Sequence, residues 1–208
     1  MSSEEKNLSL KSVPSSENYS GREPVHNRGK IMIASDIHGS AYYCRKLLSA
    51  YNNEMPDKLL LLGDILYHGP RNDLPKGYAP KEVIVMLNGI ADDILCVRGN
   101  CDTEVDRMVL DFEVLAEYVY LYIDGFTFFA THGHRFNEKN PPKLKYGDIL
   151  FNGHTHVPKF ERHENFIYVN CGSVSIPKEN SPHSYMIFEN GELLWKTLDG
   201  DAYRSEKL

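Results

Sequence analysis

The sequence predicts an α/β fold, a layered α/β/β/α sandwich in which two mixed sheets face each other with helices outside. Three observations predict it. Between residues 31 and 97 short apolar runs alternate with amphipathic helical stripes, the pattern of a parallel sheet. Beyond residue 118 the chain is mainly strand-like. Asp-Gly and Asn-Gly pairs punctuate that second half as hairpin turns.

Ile31-Met32-Ile33-Ala34 reads as a buried strand. Ser40 stands at an N-cap, and Cys44, Leu47, Leu48 and Tyr51 form an i, i+3, i+4, i+7 stripe ended by Asn52-Asn53 and Pro56. Residues 58–62 make a second buried strand, stopped by Gly63. Residues 65–79 form a long Gly-, Pro- and Asn-rich loop, a length often functional inside a compact domain. Pro80 opens a helix with Val83, Ile84, Leu87 and Ile90 on its apolar face, and residues 94–97 form a third strand stopped by Gly99. Right-handed crossovers follow. Val119–Ile123 and Phe126–Ala130 flank Asp124-Gly125 as a hairpin. Further strands are expected at 149–151, 166–169, 185–188 and 193–196, with Asn190-Gly191 turning the last pair.

A length of 208 residues suits one domain with a sizeable core. The split is a tail, 1–28, and a domain, 29–208. The tail holds seven serines and few large apolar residues and is expected to be mobile. It lacks the apolar stretch of a signal peptide. Cys44, Cys96, Cys101 and Cys171 form no CxxC pair, so reduced thiols and a cytoplasmic location are expected. No apolar run reaches the ~18 residues of a membrane span. Lys plus Arg is 23 and Asp plus Glu 29, a net charge of −6, which disfavours nucleic acid or an anionic membrane as partner.

The strands end in polar groups. Asp36 and His38 follow the first, Asp64 the second and Asn100 the third; His132 follows 126–130, and His154 and His156 follow 149–151. On an extended strand end, residues i and i+2 point the same way, so Asp36 and His38 can address one point, with Gly39 turning the chain. Each group alone has a plain structural account: a capping Asp, a left-handed Asn, a core His. Five strand ends delivering such groups to one edge, where α/β sites form, favour a metal site. Carboxylate, amide oxygen and imidazole select Mn, Fe or Zn over Ca, and the cysteines are not needed.

The ordered blocks Asp36-x-His38, Gly63-Asp64, Gly99-Asn100-x-Asp102, His132 and Gly153-His154-x-His156 resemble those of the calcineurin-like metallophosphoesterases, over residues 30 to about 192. Residues 63–72, 74–80, 98–102 and 172–177 resemble the YfcE-type bacterial phosphodiesterases within that family. The resemblance implies two divalent ions, manganese first, with zinc, iron(II) or nickel as alternatives. One would take Asp36, His38, Asp64 and His156; the other Asp64, Asn100, His132 and His154. Asp64 would bridge them beside a hydroxide, the metals about 3.5–4 Å apart. The implied reaction is hydrolysis of a small phosphodiester by in-line attack of that hydroxide, with Asp64 and Asn100 at the catalytic centre. A homo-oligomer is implied by analogy alone.

Most of the family has His after the Asn of the third block, where it is thought to protonate the leaving group; Cys101 stands there here. A thiol is a poor substitute near neutral pH, so diesters with stable leaving groups are the expected substrates. Asp102 would then hold its loop. His134, two residues past His132, can contact phosphate or donate a proton, or be an exposed loop His. His68 and Arg71 on the long loop, with Cys101, are candidate substrate contacts, Arg being suited to phosphate. Asp106 and Arg107 can pair on a short helix. His26, His163 and His183 read as surface residues, Tyr42 and Tyr43 as helix packing. Two other functions are open: a non-enzymatic scaffold like the retromer subunit of this fold, and a phosphomonoesterase or nuclease. Competent residues at every ligand position favour an enzyme.

Overall fold

The computed structural model describes residues 29–208; the expected mobile tail, 1–28, and His26 with it lie outside the described residues. The elements in order are β1 (Ile31–Ala34), α1 (Ala41–Glu54), β2 (Lys58–Leu61), α2 (Pro80–Asn88), β3 (Ile94–Cys96), α3 (Glu104–Arg107), β4 (Val119–Ile123), β5 (Phe126–Ala130), β6 (Asp148–Asn152), β7 (Lys159–Arg162), β8 (Phe166–Asn170), β9 (Ser184–Glu189), β10 (Glu192–Thr197) and β11 (Ala202–Lys207).

Two mixed sheets form. The first has the order β11-β10-β9-β1-β2-β3, the second β4-β5-β6-β8-β7. β1, β2 and β3 are parallel, as are β5, β6 and β8. The apolar runs of β1 and β2 lack polar alternation because both their faces are buried. Met32, Ala34, Leu59 and Leu61 pack under α1 and α2, against Cys44, Leu47, Val83 and Leu87. Ile31, Ile33, Leu60 and Leu62 face the second sheet, against Phe128, Ile149, Phe151 and Val169. Trp195 crosses between the sheets and donates its indole N–H to the Asn170 carbonyl at 2.8 Å.

Helices are few. α1 and α2 cover the first sheet, whereas Phe129, Leu150 and Tyr168 on the outer face of the second are covered by Phe136 and Leu144 from the β5–β6 connection. Among the described residues no helix is long and apolar enough to cross a membrane.

Local chemistry sets the ends. Ser40 caps α1, its hydroxyl accepting from the Tyr43 N–H. α1 runs past Asn52-Asn53 and stops at Met55, which is left-handed. Asp124-Gly125 and Asn190-Gly191 have positive φ at both residues, as hairpin turns of matching twist require. β7 and β11 escape sequence reading because they are edge strands with polar sequences, KFER and AYRSEK. Three surface readings are corrected. Asp106 closes a capping box with Thr103, and Arg107 pairs with Glu113 at 3.5 Å instead. His183 stacks on Tyr43 (centroids 3.9 Å apart) and bonds the Val174 carbonyl through Nδ1 at 2.8 Å. His163 stacks on Phe166 and lies 3.1 Å from Glu138.

Candidate metal centre

The seven expected ligands meet at the carboxyl ends of β1, β2, β3, β5 and β6. Asp36 Oδ1 lies 3.4 Å from His38 Nε2 and 3.2 Å from His156 Nε2, and the two imidazole nitrogens are 3.4 Å apart. Asp64 Oδ2 lies 3.7 Å from His38 Nε2 and 3.4 Å from His132 Nε2, so one oxygen serves both halves. On the other side His132 Nε2 is 3.1 Å from both Asn100 Oδ1 and His154 Nδ1. Donors bound at about 2.0–2.2 Å to one tetrahedral ion lie roughly 3.3–3.6 Å apart, so the first cluster has the spacing of a ligand shell. Asp36 Oδ1 is buried with no hydrogen-bond partner; such an atom is costly unless a cation or proton meets it. The donor set fits divalent metal on both counts.

The rings are aimed from behind. Nδ1 of His38, His132 and His156 faces the carbonyls of Tyr67 (2.8 Å), Leu62 (2.6 Å) and Ile176 (2.6 Å). Each Nδ1–H donates there, which leaves Nε2 as a lone-pair donor toward the cluster.

The expected extended geometry of Asp36 and His38 is corrected: their φ angles are +59° and +50°. Asp64, His154 and His156 are also left-handed, at +57°, +63° and +63°. Each such residue costs about 1–2 kcal/mol and persists because its surroundings fix it. The Asp36 N–H donates to the Gly63 carbonyl at 3.1 Å, and the His38 N–H to the Asp64 carbonyl at 2.9 Å. Ser173 and Ser175 hydroxyls donate to the Asp36 carbonyl at 3.1 and 3.0 Å. These serines carry no metal signature, and sequence reading missed their role.

The glycines before Asn100 and His154 have a steric reason. A Cβ on Gly99 would overlap the Asp64 backbone and carboxylate, and one on Gly153 would overlap the Ser35 side chain and approach Asp36 Oδ2. Asp102 holds its loop as expected: Oδ2 accepts from the N–H groups of Asp64 (2.8 Å) and Gly99 (2.7 Å), and Oδ1 from that of Ile65 (2.9 Å). It ties the ends of β2 and β3 together and so sets Asp64 against Asn100.

Charge is divided within the cluster. Burial opposes ionisation of Asp36, but His156, His38 and His132 outweigh it and hold the carboxyl well below its ordinary value. Asp64 is lowered likewise, burial being outweighed by His132. Burial also opposes charging of His132, yet Asp64 and Asp36 push it up to about 9. His154 is driven down to about 4 by burial and by His132. Burial and the Asp64 carboxylate push the Cys101 thiol far up, so it stays S–H; its sulfur lies 3.2 Å from Asn100 Nδ2.

The centre opens into a cleft of about 470 Å³ lined by Asp64, Asn100, His154 and His156 with Gly69, Pro70, Arg71, Asn72, Cys101, Thr155 and Lys178. Arg71 and Cys101 thus reach the cleft. His68 does not line it; its ring packs edge-on against Tyr67 and Tyr78, because the aromatic neighbours on its own loop claim it. His134 sits beside the centre, 5.5 Å ring to ring from His132 and 6.3 Å from His154, with Nδ1 buried and unpartnered. Lys178 and Thr155 went unread in the sequence: each is one residue from a recognisable block, and nothing local marks it.

Residues 30–192 match the model of the calcineurin-like phosphoesterase superfamily domain. The chain is 44% identical over 164 residues to Phosphodiesterase YfcE of Escherichia coli K12, covering 79% of this chain and 89% of that one. It is 25% identical over 151 residues to Phosphodiesterase MJ0936 of Methanocaldococcus jannaschii, covering 69% and 82%. A solved structure of the E. coli phosphoesterase YfcE superposes with a TM-score of 0.83 at 42% identity, covering 86% of this chain and 98% of that one.

Proposed function

This chain belongs to the calcineurin-like phosphoesterase superfamily, and from that membership we propose a metal-dependent phosphodiesterase acting on small phosphodiesters at a dinuclear site. The observation that carries the reading is Asp64 Oδ2, set 3.7 Å from His38 Nε2 and 3.4 Å from His132 Nε2, beside a buried Asp36 oxygen with no partner. In this reading Asp36, His38, Asp64 and His156 hold one ion; Asp64, Asn100, His132 and His154 hold the other. Mixed oxygen and imidazole donors favour manganese, with zinc, iron(II) or nickel next. Two such cations supply a nucleophile from water at neutral pH and positive charge for the phosphoryl oxygens.

The chain's own residues do the rest. The Nδ1–H···O=C bonds keep three imidazoles in one tautomer and orientation, so the donors need no rearrangement on binding. Asp102 fixes the spacing of Asp64 and Asn100. Burial and His132 press the His134 pKa down, so His134 serves as a neutral N–H contact to a phosphate oxygen. Cys101 keeps its proton and is a poor acid, so the substrate's leaving group must depart with little help. Arg71 lines the cleft and contacts the ester arm.

A phosphodiesterase relative at 44% identity supports a diester over a monoester, and the net charge of −6 disfavours nucleic acid. Four buried free thiols support a reducing compartment such as the cytoplasm. Self-association is proposed by family analogy, and light scattering tests it. The activity test strips the protein with chelator, restores manganese and assays bis(p-nitrophenyl) phosphate, p-nitrophenyl phosphate and DNA. Metal-restored cleavage of the diester foremost is expected. No turnover of any ester by metal-loaded protein would refute the enzyme reading.

A further inference from the structure

The cleft holds more positive charge than one phosphodiester needs. A diester carries one negative charge. Two divalent ions, less the carboxylates of Asp36 and Asp64 and one hydroxide, leave +1 at the centre, which already balances it. Arg71 and Lys178 also line the cleft, from two loops far apart in sequence. Among the described residues neither pairs with a carboxylate, whereas Arg45, Lys46, Lys58, Arg98 and Arg135 all do. The Lys178 backbone is tied to a site residue, and the Arg71 loop is held by a bond of its own. The Lys178 N–H donates to the carbonyl of His156 at 3.1 Å, and its own carbonyl accepts from the Ser181 hydroxyl at 2.6 Å. Beside Arg71, the Asn72 amide donates to the His68 carbonyl at 2.8 Å.

The rest of the lining narrows the ligand further. No Phe, Tyr or Trp lines the cleft, so a nucleobase has no stacking platform. No Leu, Ile, Val or Met side chain lines it either, so a lipid chain has no aliphatic wall to lie on. What remains beyond the metal donors is Gly69, Pro70, Asn72, Cys101, Thr155 and the two cations.

We propose that Arg71 and Lys178 form a second anion subsite, which makes the preferred substrate a small diester carrying another negative group, a carboxylate or phosphate, on one ester arm. This rests on the diesterase reading above and adds the substrate class. Arg71 offers a planar fork to a carboxylate or phosphate, and Lys178 a point charge. The extra anion is held on the ester arm, so the subsite discriminates between arms without touching the reacting phosphorus.

The test uses the manganese-loaded full chain and two readouts. The first is the ratio of kcat/KM for a bis-aryl phosphate with a carboxylate on one ring to that for the uncharged parent. Partly exposed charge pairs predict a preference of about tenfold. That preference falls to about one in Arg71→Gln/Lys178→Gln and fades in high salt. Lys81→Gln, exposed on α2, serves as the control. The second readout is calorimetric binding of pyrophosphate against phosphate, independent of turnover. Pyrophosphate should bind the wild type more tightly, and the double variant should lose most of that margin. A wild type with no preference in either readout overturns the subsite. So does a double variant that weakens charged and uncharged ligands equally. If no diester is cleaved but the pyrophosphate margin depends on both residues, the subsite stands and the diesterase reading fails.

Discussion

Asp36→Asn separates metal ligation from folding. Asp36 is buried at φ +59°, with Oδ1 facing His38 and His156 and Oδ2 accepting from the His154 N–H at 3.0 Å. Asparagine tolerates the left-handed region, keeps the shape and can keep the His154 bond. The metal-free variant should therefore stay folded, losing at pH 7 about 1–3 kcal/mol that the depressed carboxyl contributes. What it loses is the anionic oxygen. Even outer-shell changes cost metal sites about 10–100-fold, so affinity should fall at least about hundredfold. Asp36→Ala adds two folding costs: about 1–2 kcal/mol for a left-handed alanine and about 0.5–1.5 kcal/mol for the lost bond to His154. A sum of about 1.5–3.5 kcal/mol lowers the Tm by roughly 3–14 °C for a domain of this size. Calorimetry with manganese measures affinity, and thermal unfolding with and without manganese measures fold and linkage. Asp36→Asn should remain folded without metal, somewhat less stable than wild type at pH 7, and gain little from manganese. Near-normal manganese affinity in Asp36→Asn would refute the assignment, and an Asp36→Ala variant as stable as Asp36→Asn would refute the backbone argument.

Gly153→Ala should destabilise by about 2 kcal/mol or more and weaken manganese binding, since its methyl meets Ser35 and Asp36; urea unfolding beside metal titration checks both. Glu54 accepts from Lys196, Lys30 and Tyr185, and although burial opposes its ionisation these partners lower its pKa. A depressed carboxyl stabilises above its unfolded value of about 4.3 and loses that contribution as pH falls through its folded value. Glu54→Gln should thus cost about 1–3 kcal/mol at pH 7, a cost that shrinks as pH falls through the folded value; a gap unchanged in acid counts against the ion-pair account. Cys101→His supplies an acid where the thiol stays protonated, so turnover of alkyl diesters should rise more than that of nitrophenyl diesters. An equal change on both would show that leaving-group protonation is not what Cys101 limits.

Much of the centre was legible because its ligands follow apolar runs immediately. Once Ile31–Ala34 is a buried strand of an α/β sheet, Asp36 and His38 must fall at its carboxyl edge, and the same holds for Asp64, Asn100, His132, His154 and His156. The correct placement came with a wrong local reason: an extended chain was expected where the backbone turns left-handed, held there by long-range hydrogen bonds to the Gly63 and Asp64 carbonyls and from Ser173 and Ser175. His68 looked equivalent to Arg71 on the same loop, yet packing between Tyr67 and Tyr78 removes it from the cleft.

The sequence by itself determined the order of the strands and helices apart from the polar edge strands β7 and β11, the hairpin turns and the chemical kind of the site. Those follow from local periodicity, turn chemistry and the placing of metal-capable groups at strand ends. Tertiary structure alone decided which donors meet. Asp64 serves both halves because β2 lies beside β1 and β3 and faces the sheet that carries His132. Ser173 and Ser175 support Asp36 from 137 and 139 residues away, and Lys178 joins Arg71 in one cleft. Such pairings depend on how two sheets stack, a long-range arrangement that no window along the chain contains.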